Sequence, residues 1–250
     1  MEGSSLPAFL NVPAALIVFG GTFGVTLAGT TLEKMKLIPT LYKKAMSGDK
    51  PDMPGQLELL VGFAERARRE GLLALDEEVA DLDDEFTRKG LQLVVDGTDP
   101  ELVREILDNE IDGMAARHHA AVQPFDKAGG FAPTMGIIGT VMGLVHVLEN
   151  LAAPATLGPS ISGAFIATLY GVGSANVVFL PTANKLKALS AEEVELRSMT
   201  LEGILSIQAG DNPRVVADKL LSFIPPAERA AEEGAGGADA VPGEAELAAA

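Results

Sequence analysis

Thr140 and Thr168 are the side chains best placed to do chemistry in this chain, and the chemistry is that of a hydroxyl lining an ion path. Each sits near the middle of a long segment with no Asp, Glu, Lys or Arg. Three such segments exist, from Gly3 to Thr31, Ala128 to Leu148 and Asn150 to Asn184. Other polar groups inside them include Thr22, Thr26, Ser174, Asn176 and His146. A lone membrane threonine ordinarily returns its hydroxyl to the carbonyl four residues back, so each has a plain packing role to weigh against the functional one. His146 lies near the outer end of its segment, close to water. With no carboxylate in any segment, an ion that moves past these hydroxyls must find its binding carboxylate on another polypeptide.

Other residues stand out by type and spacing. Pro133 and Pro181 bracket the inner ends of the second and third segments. A proline frees a carbonyl and kinks a helix, so the pair reads either as helix boundaries or as hinges between a membrane core and an aqueous domain. Arg66, Arg68 and Arg69 precede an acidic cluster, Asp76, Glu77 and Glu78; by composition alone such a run is a solvated face. His118 and His119 diverge on a helix and make a surface pair rather than a metal site. No nucleophile–base pair, phosphate loop or metal spacing emerges, so the chain is not expected to be an enzyme or to carry a cofactor. It holds no cysteine, which excludes disulfides and thiolate metal sites. A net charge of −16 argues against nucleic acid as a partner.

The elements that must position these residues are helices. About 20 uncharged residues cross roughly 30 Å of hydrocarbon, which predicts spans at about 12–32, 130–148 and 160–178. Pro154, Gly158 and Pro159 are expected to hold the start of the last stretch as a turn. Met1 to Asn11 carries no Lys or Arg, so it is no secretory leader and the first span stays. Lys34, Lys36, Lys43, Lys44, Arg117, Lys127, Lys185 and Lys187 flank the spans on one side, while Glu149 to Pro159 has no cation. The positive-inside rule then puts 33–127 and the C-terminal region in the cytoplasm and the N-terminus outside.

Within 33–127 the apolar spacing predicts a helix over Gln56–Glu70 and another over Asp76–Val95. Asp96-Gly97 reads as a turn, and Asp99-Pro100-Glu101 as a helix start. A long amphipathic helix is expected over Leu186–Gln208 and a short one from Asn212-Pro213 to near Phe223. Ala227–Ala250 has too little apolar surface to fold. No segment alternates with period two. The expected organisation is therefore all-α and polytopic: 1–32 a short outer N-terminus and first span, 33–127 a cytoplasmic helical domain, 128–184 a membrane hairpin, 185–226 C-terminal helices, and 227–250 a disordered acidic tail. Small residues recur every four positions: Gly20, Gly24 and Ala28; Gly139 and Gly143; Gly163, Ala167, Gly171 and Ala175. Such rows serve close helix packing in lipid, within one chain or between copies.

Phe131-Ala-Pro-Thr-Met-Gly-Ile-Ile-Gly-Thr-Val-Met-Gly-Leu144 resembles the third membrane helix of the flagellar stator A subunits, the MotA/PomA family. Ala167-Thr-Leu-Tyr-Gly171 through Phe179-Leu-Pro-Thr-Ala-Asn-Lys-Leu186 resembles the fourth, and Asn11-Val-Pro-Ala-Ala-Leu-Ile-Val-Phe-Gly-Gly-Thr22 the start of the second. Arg68-Arg-Glu-Gly-Leu-Leu-Ala-Leu-Asp76 and Val94-Val-Asp-Gly97 are similar to the family's cytoplasmic domain. The resemblance covers about residues 10 to 225. It implies a multi-pass protein of the bacterial inner membrane in which five A subunits surround two B subunits. The B-subunit helix supplies the ion-binding Asp, and passage of protons or sodium ions turns the flagellar rotor. Arg68 falls on the rotor-facing Arg, and Asp76 on its acidic partner, usually Glu, so that Glu77 can share the role. Pro133 and Pro181 fall on two prolines tied to torque, and Thr140 and Thr168 on pore-facing hydroxyls. The family has four membrane helices; a counterpart of the first is missing, and a start codon further upstream is expected. The Gly-Thr helix alone would also suit the TolQ/ExbB energisers of envelope transport, against which the large loop with Arg68 and Asp76 speaks. A structural membrane scaffold is the third reading.

Overall fold

A computed structural model describes residues 9–225 apart from 49 and 153, with Thr156 described in its backbone only. The expectations for the outermost N-terminus and for the tail after 226 lie outside the described residues. The elements are α1 (Val12–Ala15) and α2 (Gly21–Ala28), joined by a π-helical turn at Leu16–Gly20, then α3 (Leu32–Lys36), α4 (Ile38–Ser47), α5 (Met53–Glu70), α6 (Asp76–Ala80), α7 (Glu85–Val95), α8 (Pro100–Glu149), α9 (Pro154–Ser174), α10 (Leu180–Ala209) and α11 (Pro213–Leu221). No strand occurs among the described residues. The all-α expectation holds.

Two helices are long and apolar enough to cross a bilayer, Pro100–Glu149 and the run Leu157–Ala209. Only 22% and 28% of their apolar windows are buried, whereas the core helix of a water-soluble protein would hide most of that surface. Ile137, Val141, Phe165 and Val177 are among the exposed apolar side chains. The run Val12–Ala28 is shorter. At 1.5 Å per residue it climbs roughly 25 Å, less than the ~30 Å hydrocarbon core. Its expected extension to Leu32 is cut because Gly29 closes the helix and a new one starts at Leu32.

The chain folds as two compact units. One comprises the segment through Asp49 together with Met114–Ala191; the other comprises Lys50–Gly113 and the segment from Glu192 on. These limits mark packing, while the expected limits at 127/128 and 184/185 mark the passage from charged to uncharged sequence. Helices α8 and α10 contribute residues to both units.

The second unit is built around Leu60, Phe63, Leu75, Val79, Phe86, Leu91, Val94, Val103, Leu107, Met199, Ile204 and Leu220. Glycines set two close approaches there: a Cβ on Gly90 would lie 2.5 Å from Ile204 Cδ1, and one on Gly203 would lie 2.8 Å from Leu60 Cδ1. Its helix starts are locally written. Asp52 caps α5, Asp84 caps α7 and Asn212 caps α11, each side chain accepting a backbone N–H of the first turn, and Asp99 accepts from Glu101 N at 2.9 Å. The Asp96-Gly97 turn is present: Gly97 has φ 75°, and Thr98 N reaches back to the Leu93 carbonyl.

Three expectations need correction. The helix over Asp76–Val95 is broken between Ala80 and Glu85, because Asp84 withdraws its carboxylate to cap a new start. The stretch at Pro154 is already helical, with Pro154 first and Pro159 carried inside α9; a proline at the first helical position loses no hydrogen bond. Pro133 is not a helix boundary, since α8 runs through both Pro124 and Pro133. Pro181 likewise lies inside a helical run, one residue after the π-helical turn Ala175–Phe179.

Candidate ion-path site

The first unit brings the two sequence-selected hydroxyls together. Thr140 on α8 and Thr168 on α9 are hydrogen-bonded through their Oγ1 atoms. Thr140 Oγ1 also lies 2.9 Å from the Gly136 carbonyl and 3.0 Å from the Ala164 carbonyl. One proton serves one acceptor, so the Thr140 hydroxyl donates either to one of these carbonyls, accepting from Thr168, or to Thr168 Oγ1. The arrangement has more acceptors than protons, and switching the donor's target takes only a turn of the O–H about the Cβ–Oγ1 bond.

Small residues make that contact achievable. A Cβ on Gly136 would sit 2.9 Å from the Ala167 carbonyl, and one on Gly171 would sit 2.5 Å from the Ala132 carbonyl. Added carbons at Gly139 and Gly143 would fall 2.8 Å from the methyls of Ala167 and Ala164. The second and third small-residue rows therefore meet each other across α8 and α9. The first row does not join them: a methyl added at Gly20 or Gly24 would have nothing within 4 Å, and both positions are exposed. Tyr170 fixes the first apolar helix to α9. Its hydroxyl donates to the Phe9 carbonyl and accepts from Asn11 N at 3.2 Å, and its ring stacks on Phe19 at 5.6 Å.

The prolines flank this seam. Pro133 leaves the Gly129 carbonyl without its i+4 donor, and a Cβ on Gly129 would meet Leu180 Cδ2 at 2.5 Å. Around Pro181 the Val178 carbonyl is taken by the Thr182 hydroxyl at 2.7 Å. His146 is exposed; its ring nitrogen Nδ1 lies 3.3 Å from Asn150 Nδ2. Asn176 returns its amide to the Val172 carbonyl, and Ser174 its hydroxyl to the Gly171 carbonyl, so both serve their own helix.

In the second unit Arg68, Asp76 and Glu77 are exposed. Of the three arginines that precede the acidic cluster, Arg66 pairs with a member of it, Glu78. No described residue forms an ion pair with Arg68, and Asp76 accepts from Gln92 Nε2 at 3.2 Å. Local electrostatics accounts for part of the pattern. Arg68 and Arg69 occupy the last turn of α5 and Asp76, Glu77 and Glu78 the first of α6, where each sign suits the helix dipole. Gly71, at φ 87°, reverses the chain between them.

Sequence reasoning missed a polar network in the same unit. Arg197 Nη1 donates to both Asp84 oxygens at 2.6 and 2.7 Å, and its guanidinium lies 5.0 Å from the Phe86 ring centre. Thr87 donates its N–H and its hydroxyl to Asp84 Oδ2, and Gln56 Nε2 links Thr87 to Thr200. Burial pushes the Asp84 carboxyl up, but the Arg197 guanidinium and Thr87 more than offset this and hold it below the usual aspartate value. The Asp84-x-x-Thr87 spacing was the available signal for a cap; the arginine, 113 residues away, had none.

Comparison with known proteins places the chain in a family. Residues 78–199 match the sequence model of the MotA/TolQ/ExbB proton channel family, a range that includes Pro133, Thr140, Thr168 and Pro181. Motility protein A of Bacillus subtilis is 38% identical over 92% of this chain and 85% of its own length. Chemotaxis protein PomA of Vibrio alginolyticus is 35% identical over 92% of this chain and 90% of its own. The solved structure of the flagellar MotAB stator complex from Bacillus subtilis superposes with a TM-score of 0.86 at 38% identity, covering 92% of this chain and 91% of that one. With that identity over most of both sequences and the same fold, the chain belongs to the motility protein A family of flagellar stator subunits, within the MotA/TolQ/ExbB proton channel family.

Proposed function

We propose that the chain is the A-type subunit of a flagellar stator and that it passes protons or sodium ions along the Thr140–Thr168 seam to a carboxylate on a B-type partner. The observation that carries this is the hydroxyl pair, held at a small-residue crossing within uncharged helices. Hydroxyls can pass or coordinate a cation but cannot neutralise it, so an acid from outside the chain completes the site. The solved relative is a complex of A and B subunits, which supports such a partner and an assembly of several copies. The finer arrangement is five copies of this chain around two B subunits, each B helix supplying an Asp. The exposed glycine face of the first helix, Gly20 and Gly24, is available for contacts between copies.

The chain sits in the bacterial inner membrane as a multi-pass protein, with the charged segments 33–127 and 185–226 in the cytoplasm. Arg68, exposed and without an ion-pair partner among the described residues, is the contact to a rotor protein, with Asp76 and Glu77 as its acidic counterparts. The ion is cargo; no catalysis and no resident cofactor are assigned. One charge crossing 100 mV releases about 2.3 kcal/mol, enough to bias a packed interface between discrete states.

Swimming tests the assignment, in a strain lacking its native A subunit that carries this chain and a matched B subunit. The chain restores swimming, whereas Arg68→Glu reaches the membrane at normal levels and leaves cells non-motile. Normal swimming of Arg68→Glu would make Arg68 part of a solvated face. Failure of the unaltered chain, though assembled, would favour the TolQ/ExbB-type energiser.

A further inference from the structure

Thr22 and Thr26 behave unlike the other threonines of the membrane unit. Thr30 and Thr182 return their hydroxyls to the carbonyl four residues back, and Thr140 has that carbonyl and two further partners within reach. Thr22 and Thr26 are 3% and 2% exposed, and neither hydroxyl has a hydrogen-bond partner among the described residues. Leaving a buried donor unmade is costly. Both threonines line one cavity of about 320 Å³, with Phe19, Phe23, Met35, Ile38, Phe125 and Phe179 among its walls. That volume is at the lower end of the range for small-molecule sites, and apart from the two threonines those walls are apolar.

The chain around the cavity is basic. Leu32–Ser47, which contributes Met35 and Ile38, holds four lysines and one glutamate in a protein of net charge −16. Lys34 and Lys36 flank Met35. Lys127 precedes the cavity residue Ala128 and donates from Nζ to the Gly29 carbonyl, three residues beyond Thr26. Leu32, Leu37, Tyr42 and Met46 expose apolar surface along the same segment. Lysines clustered just inside a membrane helix, interleaved with apolar groups, attract anionic lipid headgroups.

We propose that this cavity is a binding site for an anionic glycerophospholipid of the inner leaflet. One acyl chain fills the aromatic-lined space, the ester carbonyls accept from Thr22 and Thr26, and the phosphate lies among Lys34, Lys36 and Lys127. The chemistry favours a lipid over a packed helix. The cavity asks for hydrogen-bond acceptors on an apolar body and the lysines beside it for an anionic head, which a lipid supplies in one molecule and an uncharged helix does not. The site is independent of the ion-path assignment, because none of the residues that form it belongs to the Thr140–Thr168 seam.

The test uses the complex of this chain with its B subunit, purified in detergent from membranes rich in phosphatidylglycerol. Retained phospholipid is counted by extraction and native mass spectrometry, and thermal stability is measured after adding back phosphatidylglycerol or phosphatidylcholine. The unaltered complex retains phosphatidylglycerol and is stabilised by it over phosphatidylcholine. Ala128→Phe, which fills the cavity, loses both the lipid and the stabilisation. Lys34→Gln and Lys36→Gln each weaken the preference for the anionic lipid about fivefold, the size of one lysine's attraction to an anionic surface. Thr22→Val with Thr26→Val, which keeps the shape, weakens retention of either lipid and remains decisive if Ala128→Phe does not fold. Equal phosphatidylglycerol retention by all variants would overturn the proposal, as would an unaltered complex that retains none. So would an Ala128→Phe complex that falls apart into single copies with its lipid count unchanged, since a second copy would then be the occupant.

Discussion

Thr140 has two carbonyls and one hydroxyl within reach and a single proton to give. That surplus of acceptors distinguishes it from Thr182, whose hydroxyl is held by its own helix. The sequence made Thr140 and Thr168 candidates because each lies mid-span in an uncharged segment; which helix face each occupies depends on register, which no single segment encodes. Arg68 was selected only through family resemblance, and the structure adds that it is exposed and without an ionic partner among the described residues. Asp84 was not legible, because its value comes from Arg197 across the chain. Its folded-state acidity lies below that of an unfolded aspartate. The stabilisation is thus complete above the unfolded value, near pH 4, and is lost as pH falls through the lower folded one. Removing the cap and the ion pair with Asp84→Ala is expected to cost about 1–2 kcal/mol at neutral pH. Its thermal unfolding should change less between about pH 5 and pH 3 than that of the unaltered protein; parallel curves would show that Asp84 carries none of the acid sensitivity.

Helix α8 shows what a local reading of elements can and cannot find. Its start at Asp99-Pro100 was legible, since a capping side chain and a proline announce themselves over three residues. Its 50-residue length was not, because Pro124 and Pro133 argue for ends and only packing on both sides overrides them. The break before α7 was hidden for the opposite reason: Val79, Leu82 and Phe86 keep helical spacing across it. The π-helical turns at Leu16–Gly20 and Ala175–Phe179 have no sequence signature, as they only add one residue to a turn. The small-residue rows were visible, but their partners were not. Gly171→Ala places a carbon 2.5 Å from the Ala132 carbonyl, while Gly20→Ala meets nothing within 4 Å. Gly171→Ala should therefore deplete folded protein from membranes, and Gly20→Ala should leave the level intact. Normal levels for Gly171→Ala would mean that α8 and α9 do not pack at this distance. Lost motility of Gly20→Ala at normal levels would assign that face to contacts between copies.

At the scale of the whole molecule, the proposed division of labour gives ion passage to the uncharged helices and rotor contact to the charged helical unit. The fold class was legible because composition segregates so sharply along the chain, and the family because motifs such as Phe131–Leu144 resemble its membrane helices. The proposed carboxylate-bearing partner follows from the same segregation, since an ion path through segments without a single acid needs one from another chain. The central claim is that Thr140 and Thr168 act as one unit in ion passage, and it is tested most directly by single-motor rotation speed in a double-mutant cycle. Thr140→Val and Thr168→Val, each at normal membrane levels, should slow rotation, and the double variant should be no slower than the worse single one, because either change breaks the same pair. Rotation at the unaltered speed in either single variant, or slowing in the double variant that is the product of two independent effects, would contradict the account.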